Sequence, residues 1–218
     1  MNTIAGHDIK LLANQFGTPL FIYDGNRITE NFLQLLNTYK AYHANTAVHY
    51  SVKANSNLFI LSILEKLGAG VDTSSPFEVA LARKAGFPDE RILYTGNYES
   101  HQDLALLNDT DITVNLDDLA SFNRLCQNGI PKRISFRINP GIGRGGFEGI
   151  TTAGTDAKFG IPYEKAFDAY QTAQNAGVKR FGIHMMTGSN NLEPYHFAEV
   201  TEKLMKIAGT IFNRLGTS

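Results

Sequence analysis

The sequence predicts an α/β protein whose parallel sheet is covered by helices, and two observations carry that expectation. Short β-tolerant runs alternate with helical patterns about six times along the 218 residues. Glycines 68, 86, 129 and 177 stand where the helices between those runs should end. The alternation alone leaves two architectures open, a doubly wound sheet or a (β/α)8 TIM-type barrel. A closed barrel needs eight strands, so a barrel here would be incomplete, with about six βα units. An open barrel would expose the edges of its first and sixth strands, which natural proteins avoid. The chain therefore reads as the amino-terminal part of a longer polypeptide.

Composition narrows the function classes. With 43% hydrophobic and 19% charged residues there is enough apolar material for a sizeable core. A net charge of −1 gives no reason to invoke nucleic acid or a membrane surface. No apolar run approaches the roughly 18 residues of a spanning helix. The amino terminus, Met1 to Asp8, lacks a basic region followed by an apolar one. These features point to the cytoplasm. The lone Cys126 cannot form an internal disulfide, which agrees with a reducing compartment, and its helix neighbours Leu119, Phe122 and Leu125 mark it as structural. Neither H-E-x-x-H nor C-x-x-C occurs, so no metal site is implied.

Taken in order, residues 9–16 read as a short helix ended by Gly17, followed by Thr18-Pro19 and a compact strand over 20–24. Asp24 or Asn26 can cap a helix reaching about Tyr42, whose Ile28, Phe32, Leu35, Leu36 and Tyr39 share one face. Strands are then expected over 48–53, 70–74, 91–95, 112–116, 133–139 and 180–186. The helices that follow them are expected over 58–67, 77–85, 101–107, 117–128, 163–176 and 193–215.

Residues able to do chemistry gather at the carboxyl ends of these strands, where ligands bind in α/β folds. Lys53 closes an apolar run that reads as an interior strand, and it has two readings. One is a strand-end lysine that snorkels to water. The other is a Schiff-base lysine, partly desolvated so that its pKa falls from about 10.4 and the neutral amine attacks an aldehyde. Asp72 is a carboxylate within a strand and needs a partner. Ser75, Pro76 and Glu78 next to it look like a helix start with a capping box. Thr95-Gly96-Asn97 is a turn at the ligand end. Arg137, between apolar neighbours, calls for an anion, either a structural ion-pair partner or a ligand. Gly141 to Gly146 satisfies G-x-G-x-x-G, yet a dinucleotide fingerprint needs a helix to begin inside the glycines, and the glycines and threonines of 147–154 argue against one. In the last strand, period two puts His184 and Met186 on one face. A core histidine bonded to a carbonyl, with methionines as packing, is the plain reading.

Several of these segments together resemble the fold-type III pyridoxal-phosphate decarboxylases, diaminopimelate decarboxylases in particular. They are Tyr50-Ser51-Val52-Lys53-Ala54-Asn55-Ser56-Asn57, the Gly70-Val71-Asp72 strand with Ser75 and Glu78, and Arg137-Ile138-Asn139-Pro140. The loop through residues 156–161 and the His184-Met185-Met186-Thr187-Gly188-Ser189 strand end complete the set. The resemblance spans residues 21–207 and implies a (β/α)8 barrel of the alanine racemase-like class, here truncated, with a C-terminal β-domain lying beyond residue 218. It implies pyridoxal 5'-phosphate as cofactor, carried by Lys53, with Asp72, Arg137, His184 and Met186 around the ring and Ser189 on the phosphate. It also implies a small amino-acid substrate, meso-diaminopimelate giving L-lysine, and a homodimer when full length. The family's strand reads His-x-His-x-Gly-Ser, so Met186 stands where a ring-stacking histidine is expected. A thioether can pack on a ring but moves no proton. The further glycine-rich phosphate loop and the Glu-Pro-Gly-Arg segment of family members would lie past Ser218, which predicts poor activity for the chain alone. A catalytically silent relative, or another enzyme of the class such as an ornithine, arginine or carboxynorspermidine decarboxylase or an alanine racemase, also fits these segments.

Overall fold

The structure, a computed structural model, describes residues 3–141, 144–145, 159–189 and 191–217. Its centre is a parallel sheet of β1 (His49–Ser51), β2 (Gly70–Thr73), β3 (Ile92–Thr95), β4 (Thr113–Leu116), β5 (Arg133–Asn139) and β6 (Arg180–His184). The strands pair in chain order, from β1 at one edge to β6 at the other. A two-residue strand, Ile161–Pro162, adds onto the end of β5. Sequential order settles the architecture left open above. Parallel crossovers are right-handed, so when every connection steps the same way all the helices fall on one face, as in a barrel. A doubly wound sheet reverses direction partway.

The helices are α1 (Ile9–Phe16), α2 (Gly25–Lys40), α3 (Leu58–Lys66), α4 (Pro76–Ala85), α5 (His101–Ala105), α6 (Leu119–Cys126), α7 (Tyr163–Ala176) and α8 (Pro194–Leu215). Their starts follow from short polar caps. Asp24 accepts from the backbone N–H of Asn26 and Arg27, Asn57 from that of Phe59, and Asp118 from that of Ser121. Gly86 and Gly177 end α4 and α7 in the left-handed conformation. Among the described residues no helix is long and apolar enough to cross a membrane.

Two expectations need correction. Residues 20–24 form no strand among the described residues. They have no neighbour to pair with, and Phe21 and Tyr23 are 84% and 52% exposed. The strand expected over 91–95 begins one residue late, because Arg91 is drawn into a 3-10 turn. There its guanidinium donates to the carbonyls of Glu65 and Ala69 and to the Glu65 carboxylate (2.6 Å), tying the end of α3 to the strand's entry.

The strands present two different faces. Val71, Ile92, Tyr94, Val114, Leu116, Ile134, Phe136, Ile138 and the adjoining Val52 are at most 2% exposed. They pack with Leu61, Ala82, Leu104, Phe122, Leu125 and Tyr170 from the helices in one apolar layer. The other face carries His49, Ser51, Asp72, Thr95, Asn115, Ser135, Arg137 and His184. Tyr170 of α7 locks the layer. Its hydroxyl donates to the Gly182 carbonyl (2.6 Å) and accepts from the Phe136 amide (3.3 Å), while its ring meets Phe136, Phe181 and Phe212 edge-on.

Removing that hydroxyl strands a carbonyl and an N–H belonging to two neighbouring strands in a dry layer. Tyr170→Phe is therefore expected to lower stability by about 1–3 kcal/mol. Tyr170→Ala, which also opens a cavity, should cost about 3–5 kcal/mol. Urea denaturation of the two variants checks both values, and an unchanged stability in Tyr170→Phe would show that the hydroxyl contributes nothing.

Candidate active site

The polar face becomes a site toward its carboxyl end because period two keeps the polar side chains of neighbouring strands on the same face. Ser51 is in register with Asp72, Thr95 with Asn115, Asn115 with Ser135, and His184 with Arg137. Gly70 makes room at the start of β2. A Cβ there would collide with the ring of His49 and lie 2.9 Å from the Arg91 carbonyl.

Lys53 lies just past β1, in the 3-10 turn Val52–Ala54. One part of its sequence reading is revised, since β1 is a three-residue edge strand instead of an interior one, and Lys53 is exposed, as the snorkelling reading has it. No strand covers the outer side of β1 among the described residues. The turn itself is well made. Tyr50 donates its hydroxyl to the Asn55 carbonyl (3.2 Å), and Asn57 begins α3 directly after it.

Asp72 finds the partner its sequence position demanded. Thr95 Oγ1 donates to Asp72 Oδ1 at 2.7 Å. Burial raises the carboxyl's pKa, against that hydrogen bond and the nearby charges of Lys53 and His49. Glu78 is engaged elsewhere, accepting from the Ser74 N–H at 2.7 Å while Ser75 Oγ accepts from the Glu78 N–H. The helix-start reading accounts for both Ser75 and Glu78.

Arg137 is 6% exposed. Its guanidinium sits 3.9 Å from Asp117 and 5.0 Å from the centroid of the Phe159 ring. Gly160, at φ +83°, lets the incoming chain lie directly on this arginine, since a Cβ there would stand 3.1 Å from the Arg137 carbonyl. Burial outweighs the attraction between the two charges. It pushes Asp117 up to about 6 despite Arg137, and lowers Arg137 despite Asp117.

His184 lies beside Arg137, and its Nδ1 is 3.3 Å from Asn115 Nδ2. Burial first and the Arg137 charge second press its pKa down to about 4. Met186 follows two residues later, past the strand's end and half-buried. Ser189 is placed by its backbone, in a short parallel pairing of Gly188–Ser189 with Arg144–Gly145. The connection into α8 is tied by Thr187 Oγ1 to His196 Nε2 at 3.4 Å. Most of the glycine-rich stretch, residues 142–143 and 146–158, lies outside the described residues, and with it the dinucleotide reading and the loop resemblance.

Thus one face brings Lys53, Asp72, Arg137 and His184 to one end of the sheet. Three participants escaped the sequence reading: Thr95, Asn115 and Asp117. Asn115 had the same signal as Asp72, a polar residue between Val114 and Leu116, and is 1% exposed. Thr95 was visible only as a turn, and Asp117 only as a helix start.

Residues 26–217 match the family model described as pyridoxal-dependent decarboxylase, pyridoxal binding domain. The diaminopimelate decarboxylase of Thermoplasma acidophilum is 39% identical over 216 residues, covering 99% of this chain and 52% of the relative. That of Methanothermobacter thermautotrophicus is 38% identical, with 98% and 50% covered. The crystal structure of diaminopimelate decarboxylase from Helicobacter pylori complexed with L-lysine superposes with a TM-score of 0.88 at 29% identity, covering 97% of this chain and 54% of that one. The chain spans about half the length of the curated relatives it matches.

The depressed His184 carries a pH signature. Its neutral form is favoured in the fold, so its contribution is present above the ordinary histidine value of 6.5 and is lost as pH falls through about 4. At about 1.4 kcal/mol per unit, reduced somewhat by the ring's remaining exposure, the advantage of wild type over His184→Gln should shrink by about 2–3 kcal/mol between pH 7 and pH 4. Urea titrations at the two pH values check this, and a pH-independent difference would contradict it.

Proposed function

The chain belongs to the pyridoxal-dependent decarboxylases, as the family's pyridoxal-binding domain, and on that premise we propose that it holds the cofactor of a carboxy-lyase converting meso-diaminopimelate to L-lysine. The observation that carries the reading is the convergence of Lys53, Asp72, Arg137 and His184 at one end of one sheet face. The substrate rests on the relatives, which are named diaminopimelate decarboxylases at 39% and 38% identity.

The donor set fits pyridoxal phosphate. Lys53 offers an exposed amine in a fixed turn, able to condense with an aldehyde. Asp72 holds a carboxylate close enough to feel the charge of Lys53. Arg137 offers a buried cation and His184 a neutral ring, and the buried Oδ1 of Asn115 has no partner among the described residues. When bound, the cofactor supplies an electron sink for the pair left behind as carbon dioxide departs.

The protein's own residues then divide the work. Lys53 Nζ would hold the cofactor by its carbonyl carbon and could carry a proton to the substrate carbon. Asp72, kept in place by Thr95, opposes drift of the lysine's charge. Arg137, steadied by Asp117 and Phe159, attracts anionic oxygen on ring or substrate. His184 and Met186 would wall one side of the site, and the Gly188–Ser189 segment would lie at the phosphate. Met186 brings dispersion and no proton, so proton transfer falls to other groups. We further propose that the full-length protein works as a homodimer, with a C-terminal β-domain and the remaining barrel strands completing the site.

A second reading, a relative that holds the cofactor without turnover, is favoured by Met186 in the place of the family's histidine. Borohydride reduction with pyridoxal phosphate, followed by peptide mapping, tests the first step. The expected result is one pyridoxyl label on Lys53, abolished in Lys53→Ala. Absence of label in the full-length protein would sink the cofactor reading, and label without carbon dioxide release from meso-diaminopimelate would select the silent relative.

A further inference from the structure

We propose that Asn115 is a positioning residue that fixes His184 as the neutral imidazole with its proton on Nε2, so that β6 offers the site a hydrogen-bond donor and no acid or base. The contact itself supplies the argument. Asn115 Nδ2 lies 3.3 Å from His184 Nδ1, and an amide nitrogen can only donate. Nδ1 must therefore present its lone pair, and in a neutral ring the proton then resides on Nε2. Asn115 is 1% exposed in the middle of β4, between Val114 and Leu116.

The surroundings oppose the doubly protonated ring as well. The groups bearing on His184 are the amide of Asn115 from β4 and the guanidinium of Arg137 from β5, itself paired with Asp117. An imidazolium would set an Nδ1–H against an amide N–H and a second cation beside Arg137. No strand covers the other side of β6 among the described residues. Two residues on, Met186 adds a thioether that does not titrate. The last strand thus supplies recognition of an oxygen acceptor, such as a phosphate, carboxylate or phenolate oxygen, through Nε2–H. The bearing of this donor on a bound cofactor rests on the reading above, whereas the tautomer does not.

The test separates the two. The chain is labelled with imidazole-15N histidine, and long-range 1H–15N correlation spectra are recorded without cofactor between pH 5 and 8. The His184 signal is assigned by its loss in His184→Gln or, should that variant not fold, by contacts to the Asn115 amide protons. The expected wild-type pattern is the Nε2–H tautomer throughout the range. In Asn115→Asp, whose carboxylate accepts only, the proton should move to Nδ1 and the titration midpoint should rise by about one unit or more. A wild-type Nδ1–H pattern, a wild-type midpoint near 6.5, or an unchanged tautomer in folded Asn115→Asp would each overturn the proposal. If Asn115→Asp fails to fold, the wild-type spectrum decides alone. A failed borohydride label leaves this result standing, and the reverse holds too.

Discussion

The whole arrangement depends on the two opposed demands made on each strand of a singly wound parallel sheet. One face must be apolar enough to seat the helices, and the other is released from that duty. Because successive side chains point to opposite faces, Arg133–Asn139 can hold Ile134, Phe136 and Ile138 in the dry layer while carrying Ser135, Arg137 and Asn139 on the polar one. The same division runs through Gly70–Thr73, Ile92–Thr95, Thr113–Leu116 and Arg180–His184. Slipping Gly70–Thr73 or Arg133–Asn139 by one residue would drive a charge under the helices. Stability of the layer and assembly of the site are consequently enforced by one register.

Buried charge shapes what that face can do. Arg137 and Asp117 stand 3.9 Å apart, too far for the short, two-pronged pairing that offsets desolvation well. Both are shifted toward neutrality, and the arginine's field also keeps His184 uncharged.

Much of this was legible in the sequence, for reasons that can be named. Arg133–Asn139 and Tyr163–Ala176 fall at the expected positions because their periodicities, two and 3.6, run long enough to be unambiguous. Asp72 and Arg137 could be singled out because an ionisable side chain inside an apolar strand has few explanations. Lys53, Asp72 and Arg137 meet only through pairing of strands distant in sequence, and the resemblance to a known family supplied what spacing could not. The misreadings have a common origin. Residues 20–24 look like a strand, and the strand ending at Lys53 looks interior, when only local pattern is consulted. Both properties belong to neighbours, and no local pattern reports whether a neighbour is present. Asn115 was passed over for a subtler reason, since its importance lies in the nitrogen it meets on His184, 69 residues away.

One feature of the edge bears on how the site responds to its occupants. Among the described residues, strand His49–Ser51 pairs with Gly70–Thr73 on one side only, and beside it runs a cleft of ≈ 570 Å³ between α2 and α3, lined by Ile28, Phe32, Leu35, Tyr50, Ile60 and Leu64. The turn bearing Lys53 continues directly from that strand. Whatever pairs with the edge and fills the cleft also sets how firmly the turn is held and how wet the amine is. Occupancy of the lysine and closure of the edge are therefore thermodynamically linked, and linkage is reciprocal. If a segment docking there changes capture of a carbonyl compound by some factor, that capture changes docking by the same factor.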